Sequence, residues 1–268
     1  MKLFLNSVWF ALAAALLGGC AKNSSNNFQG YIEGEYVYVA APLSGALTNL
    51  AVARGDEVKP GQLLFTLERQ SEAAALDQAE KNLAQANASL TLSDATLQRR
   101  QELRNSPSAV ISAEELDQAR SQRDADAAQV AAQQAALTKA KWSFDQKQQF
   151  APAAAQVHDT LFRQGEFVTA GNPVVVLLPP ENIKVRFFVP QAMLPQIKVG
   201  QTVSISCDGA PHAISATINY ISTQVEYTPP VIYSRETRAE LVFMIEAKVS
   251  PTDAMIVRPG QPADVRLN

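Results

Sequence analysis

Apolar residues recur through the middle of the chain with a helical period. From Ser71 to Asn105, leucines fall at Leu76, Leu83, Leu90 and Leu97, a strict seven-residue spacing, with the small residues Ala79 and Ala86 three positions on. From Ser112 to Asp145 the same spacing gives Leu116, Val130, Leu137 and Phe144, with Arg123 interrupting the stripe. Sustained heptads predict coiled-coil helices. Pro107 is the only proline between Pro60 and Pro152, and it falls in the gap between the two segments, where a helix must stop. Ser112-Ala113-Glu114-Glu115 supplies a capping box for the second helix: Ser112 covers open amides and Glu115 reaches back. Two helices of roughly 35 residues, each about 50 Å long at a rise of about 1.5 Å per residue, then form an antiparallel hairpin. Many seam positions are Ala, Gln, Asn or Ser, so the apolar stripe is narrow and the outer faces are candidates for contact with other subunits.

Around this insert the pattern changes to period two. At an offset of 110 residues, Ala41-Pro42 aligns with Ala151-Pro152, Leu47 with Val157, Gly55 with Gly165, Val58 with Val168 and Gly61 with Gly171. Each copy reads as strand, Gly-bearing turn, strand, ending in Leu63-Leu64-Phe65 or Val174-Val175-Val176. A copy of about 30 residues is too small to bury a core, so the two are expected to pack face to face as one sandwich. Beyond Pro179-Pro180, the runs Ile183, Val185, Phe187, Val189; Val203, Ile205, Cys207; and Ala263, Val265, Leu267 alternate again. Short strands with Gly/Pro punctuation indicate a small barrel or sandwich, with Cys207 facing inward as a small hydrophobe.

At the N-terminus, the apolar stretch Leu3 to Leu17 follows Lys2 and ends in Leu17-Gly18-Gly19-Cys20. It has the length of a secretory signal rather than of a membrane span. Small residues before a cysteine point to a lipoprotein signal over residues 1–19 with Cys20 as the lipidated first mature residue; an uncleaved anchor is the alternative. Either way the remainder is placed outside the cytoplasm, and Ala21 to Asn27 reads as a flexible polar tether.

Composition adds exclusions. The 268 residues carry 23 Lys+Arg against 26 Asp+Glu and no long basic run, which disfavours nucleic-acid binding. Two cysteines and two histidines cannot supply a structural-zinc cluster or a disulfide framework. Neither a metal nor a cofactor is expected. No glycine occurs between Gly61 and Gly165, as a helical insert requires.

Ala41-Pro42-x-x-Gly45-x-Leu47, followed by Gly55-Asp56-x-Val58-x-x-Gly61-Gln62-Leu63-Leu64-Phe65, resembles the first lipoyl half-motif of the HlyD-type membrane fusion proteins. The second half matches less closely, with Ala155 where the first has Gly45, and Val199-Gly200-Gln201-x-Val203 and Arg258-Pro259-Gly260 resemble the family's barrel turns. The resemblance implies a lipid-anchored periplasmic adaptor of a Gram-negative bacterium, favouring the inner membrane. Such adaptors assemble into rings, commonly hexameric, between an inner-membrane transporter and a TolC-like outer-membrane channel. It implies further that the hairpin tip meets the channel. Arg99, Arg100, Leu103, Arg104 and Ser112 are the contact candidates, although Ser112 lies nine positions after Leu103 where the family pattern has seven. Since the chain stops at Asn268, the family's membrane-proximal domain is expected to be missing, and such compact adaptors resemble partners of ABC-type exporters more than of major-facilitator or resistance-nodulation-division ones.

Enzymatic readings fit poorly. A biotin or lipoate carrier needs a lysine where the halves join, but that position is Glu68-Arg69-Gln70 and the next lysine along the chain is Lys81. His158 and His212 lack a recognisable nucleophile motif, and no phosphate-binding loop is present. A structural envelope-spanning coiled-coil lipoprotein remains the alternative from another class. The expected fold is α+β and elongated. Residues 1–19 form the signal and 20–36 the tether and first strand; lipoyl-like halves at 37–70 and 146–179 flank a hairpin at 71–145; and a β-barrel occupies 180–268.

Overall fold

A computed structural model describes residues 27–106, 111–227 and 241–267. Cys20, the signal segment and Pro107 lie outside the described residues. The chain divides into two units, one spanning Glu35–Asn182, the other combining Met1–Gly34 with Ile183–Asn268.

The first unit contains strands β2 (Val37–Ala40), β3 (Gly45–Leu50), β4 (Glu57–Val58) and β5 (Leu63–Leu67) before the insert. After it come β6 (Gln148–Phe150), β7 (Ala155–Thr160), β8 (Phe167–Val168) and β9 (Pro173–Leu178). They form two four-stranded sheets, ordered β2-β9-β7-β4 and β6-β5-β3-β8. Each sheet draws strands from both sequence repeats. β4 of the first copy pairs with β7 of the second, while β8 of the second pairs with β3 of the first. Backbone bonds repeat the exchange: Gly55 N–H donates to the Val157 carbonyl at 2.8 Å, and Gly165 N–H to the Leu47 carbonyl at 2.8 Å. Gly61 and Gly171 do likewise toward Ala151 and Ala41. Gly55 and Gly165 hold φ of 95° and 96°, a left-handed conformation that explains glycine at both turns. Leu47, Leu64, Phe65, Leu67, Val157, Val168, Val174, Val175 and Leu177 fill the space between the sheets.

The insert forms two helices, α1 (Gln70–Arg104) and α2 (Ala113–Asp145). Ser112 caps α2: its hydroxyl accepts from Glu115 N–H at 3.2 Å, and Ser112 N–H donates to the Glu115 carboxylate at 3.0 Å. Along α1 the fully buried positions are Ala79, Ala86 and Ser93, whereas the heptad leucines are only half-buried. On α1 the buried side of the seam is therefore made by small side chains with the leucines flanking it, whereas α2 buries the heptad residue Leu116 together with Ala119. Arg123 does not break the stripe. It sits at a seam position and reaches across to Asp94, Nε to Oδ1 at 2.9 Å.

At the root of the hairpin, Lys147 follows α2 directly and is 4% exposed. Its Nζ donates to the Ser44 carbonyl at 2.8 Å and pairs with Glu72 of α1 at 3.0 Å. One ammonium thus ties both helices to the loop entering β3. The Arg69 guanidinium lies over the Phe144 ring at 4.6 Å, a second tie across the root. Partial burial works to raise the Glu72 pKa, but the hydrogen bonds from Lys147 and Ser71 outweigh it and hold the carboxyl below its ordinary value of 4.5.

The second unit is a closed barrel of β1 (Asn27–Gly34), β10 (Ile183–Pro190), β13 (Leu241–Val249), β12 (Ile214–Tyr227), β11 (Thr202–Cys207) and β14 (Pro262–Leu267), in that order round the ring. A short helix, α3 (Pro251–Ala254), joins β13 to β14. Ile32, Val185, Phe187, Val203, Ile205, Ile214, Ile218, Ile245 and Val265 point inward and are buried. The alternation expected from sequence is thus the interior of the barrel. The strand at the edge of the tether, β1, closes it between β10 and β14. Gly30 makes this closure possible, because a Cβ there would lie 2.4 Å from the Arg186 carbonyl oxygen and 2.7 Å from Phe187 Cβ.

Two outcomes follow for stability. Gly30→Ala overpacks the β1–β10 contact and lowers the urea unfolding free energy of the barrel by about 1–3 kcal/mol; a loss under about 0.5 kcal/mol would show that the strands have room to part. Lys147→Met leaves Glu72 without its cation and costs about 2 kcal/mol, below the range for a fully buried pair because Glu72 is partly exposed. Since the Glu72 pKa is lowered on folding, its contribution is present above the ordinary carboxylate value and fades as pH falls through the lowered one. The acid-side loss of stability between pH 7 and pH 3 is therefore smaller in Lys147→Met than in the parent chain, measured by urea titration at each pH.

Candidate functional site

The end of the hairpin gathers the residues singled out from sequence, and the structure gives them different tasks. Arg100 sits on the inner side of the last turns of α1, and its Nη1 donates to the Glu115 carbonyl of α2 at 2.6 Å. It braces one helix against the other. Ser112 is likewise occupied, as the N-cap whose hydroxyl accepts from Glu115 N–H and also donates to the Glu115 carboxylate at 3.1 Å. The Ser112 N–H, then its hydroxyl, hold the Glu115 carboxyl below the usual carboxylate range, and Arg100 acts in the same direction.

Arg99, Leu103 and Arg104 are turned outward. Leu103 is 56% exposed, an apolar side chain on an otherwise polar helix end. Arg99 bonds within its own helix, Nη2 to Thr96 Oγ1 at 3.2 Å. Arg104 occupies the last turn of α1, where a cation complements the carbonyl end of the helix. The C-cap is closed by Asn105 N–H to the Gln101 carbonyl and Ser106 N–H to the Leu103 carbonyl. The tip can thus offer an apolar anchor flanked by guanidiniums able to make charge-assisted bonds to carbonyls or carboxylates.

Below the tip, one flank of the hairpin carries a groove lined by Ser89, Leu92, Thr96 and Arg100 from α1 and by Gln118 and Gln122 from α2. Leu92 is 64% exposed along it. Sequence periodicity placed no special weight on Leu92, because it lies off the heptad positions.

Other chemistry-bearing residues are accounted for structurally. Lys147, which sequence reasoning passed over, stands beside the end of the first half, where its carbonyl accepts from Leu67 N–H at 2.8 Å. Its buried, paired ammonium is the opposite of an exposed carrier arm. His158 stacks on Tyr36 with ring centroids 4.3 Å apart, and His212 lies 3.6 Å from Asp253. Cys207 is buried, and burial, followed by Asp208 and Asp264, raises its thiol pKa, which disfavours the thiolate. On the barrel exterior, Lys184 and Arg186 bind Glu246 at 2.8 and 2.9 Å, and Arg186 also reaches Glu33 at 2.9 Å. Burial works to raise the Glu246 pKa, yet the two cations hold it low. Among the described residues no group of three or more His, Cys, Asp or Glu side chains is placed to hold a metal, and no helix is long and apolar enough to cross a membrane.

Residues 75–147 match a family described as "RND MFP, alpha-helical hairpin domain". Over 99% of its length the chain is 26% identical to a UPF0194 membrane protein of Yersinia pseudotuberculosis serotype O:3 (strain YPIII), covering 98% of that relative. It is 27% identical to a UPF0194 membrane protein of Acidithiobacillus ferridurans, covering 89% of this chain and 85% of the relative. Among solved structures it is similar to the membrane fusion protein Spr0693 from Streptococcus pneumoniae R6, with TM-score 0.67 and 20% identity over 90% of this chain and 98% of the other. It is also similar to MacA from Actinobacillus actinomycetemcomitans, with TM-score 0.70 and 16% identity over 91% and 79%. The two-helix insert thus matches the membrane fusion protein hairpin domain, and the chain that carries it is similar in fold to solved membrane fusion proteins.

Proposed function

We propose that the protein is a periplasmic adaptor of an efflux or secretion system, lipid-anchored through Cys20 and joining an inner-membrane exporter of the ABC type to a TolC-like outer-membrane channel. The observation that carries this reading is the hairpin itself. It is a two-helix rod set into an interlocked sandwich, fixed at its root by Lys147 and ending in outward-facing Arg99, Leu103 and Arg104. A rod rooted this firmly transmits position from one end to the other. In this mechanism copies of the chain associate into a ring, a hexamer by the HlyD-type resemblance, and their hairpins together form a conduit whose tips hold the channel. Energy comes from the transporter.

Within the tip, Leu103 is the anchor and Arg99 and Arg104 are its polar partners. Arg100 and Ser112 act on the shape of the tip, since both are engaged between or within the helices.

Deleting Ser71 to Asp145 should abolish export of a transported compound while leaving membrane attachment intact; export that survives the deletion would sink the adaptor mechanism and favour a purely structural envelope protein. At finer grain, Leu103→Asp should cut cross-linking to the channel by about tenfold or more, the loss expected when an apolar anchor is replaced by a charge. Because Leu103 is exposed, the melting temperature should scarcely move. A large drop in melting temperature would instead assign Leu103 to the fold.

A further inference from the structure

The barrel has two chemically different rims. Because neighbouring strands are antiparallel, one rim collects the starts of β1, β11 and β13 and the ends of β10, β12 and β14. It is the rim at which the chain enters the barrel, at Asn27. Here β10 runs into a 3-10 turn, Gln191–Gln196, and then through Lys198 and Val199 into β11. Val199 is 63% exposed, and Met193 and Leu194 are half-buried in the turn. Over the whole stretch from Phe187 to Cys207, Lys198 is the only charged residue. The ribbon of β12 and β13 leaves the same rim with Val225 and Leu241 each 37% exposed, beside the exposed Glu226. The opposite rim also exposes an apolar pair, Met255 and Ile256, but sets it among Asp208, Asp253 and His212.

We infer that the rim formed by the Gln191–Gln196 turn and Val199 rests on a phospholipid bilayer, the one that holds the lipid on Cys20. The inference depends on the proposed lipidation of Cys20, because that attachment fixes the distance. Asn27 follows Cys20 by seven residues, and an extended chain of that length reaches at most about 25 Å. A rim held so near a bilayer by its own chain meets lipid before any other surface. The residues it presents suit that environment: apolar side chains that enter the headgroup boundary, and one ammonium next to them for phosphate. The contact turns a flexible tether into a seat, so that the barrel stands on the membrane at a fixed height.

The test uses the full lipidated chain in vesicles of phosphatidylethanolamine and phosphatidylglycerol with no other protein. An environment-sensitive fluorophore is placed on Val199→Cys and, separately, on Met255→Cys; Cys207 is buried and the Cys20 thiol is consumed by the lipid. Spin-labelled phospholipids should quench the reporter at position 199 about threefold more than the one at 255, with a blue-shifted emission at 199 only. In a Leu194→Asp background the quenching at 199 should fall to the level seen at 255. Equal, weak quenching at both positions, with the lipid on Cys20 confirmed by mass spectrometry, would overturn the inference and leave the anchor standing. A reporter at 199 that is dark to lipid in vesicles yet cross-links to an integral membrane protein in native membranes would overturn it in favour of a protein partner. If mass spectrometry finds no lipid on Cys20, the anchor proposal fails and the seat fails with it.

Discussion

Everything in the first unit depends on the exchange of strands between its two halves. β4 is bonded to β7 and β8 to β3, and each Gly-bearing turn donates its first N–H to a carbonyl of the other copy. Each half pairs some of its own strands, β3 with β5 and β7 with β9, but leaves other backbone groups to be satisfied only by the other half. The sheets close only when residues far apart in sequence meet, Val58 with Ala155 and Gly45 with Val168, and loop closure of that length costs little more than closure of a shorter loop. The insert must therefore bring its two ends back together. An antiparallel hairpin does so without strain, which is why a coiled coil can occupy this position.

The hairpin is weakly held by its own seam. Ala79, Ala86 and Ser93 bury little apolar area, and the leucines beside them keep part of their surface in water. Its stiffness comes from ties at intervals along its length. Lys147 and Glu72 act at the root, Asp94 and Arg123 nearer the tip, and Arg100 to the Glu115 carbonyl close to the turn. Of these the root pair weighs most, because Lys147 is buried, whereas Arg123 and Asp94 are each nearly half exposed and screened. Narrow seams also leave much of each helix uncommitted. Leu92 and the groove beside it are the clearest instance of a surface that the single chain does not cover.

What was legible in the sequence was what repeats. The offset of 110 residues revealed two halves, the seven-residue spacing revealed a coiled coil, and Ser112 with Glu115 revealed where the second helix starts. What stayed hidden was what depends on a single position in space. Lys147 looks like a polar residue after a helix until Ser44, a hundred residues away, closes on it. Arg123 looked like a fault in the stripe because a heptad count is blind to the Asp94 that faces it. The leucines of α1 marked the seam but not its most buried positions, which are small, whereas Leu116 of α2 is both a heptad position and buried. Periodicity weighs hydrophobicity, while close approach of two helices selects for small size. β1, next to the tether, is held in the barrel by partners in the last third of the chain, from Ile183 onward.

At the tip the same logic separates rigidity from recognition. A donor used inside the hairpin cannot be offered outside it; the Ser112 hydroxyl is used in this way, and Arg100 commits its Nη1 to the Glu115 carbonyl. Arg99 keeps part of its guanidinium free of its Thr96 bond, and Leu103 is exposed. In the proposed contact, the cost of leaving a large apolar side chain in water would be borne in the free chain and removed on docking, so Leu103 would contribute to association without contributing to folding. Bracing by Arg100 would make that contribution larger, because a tip already held in shape loses less conformational freedom in such a contact.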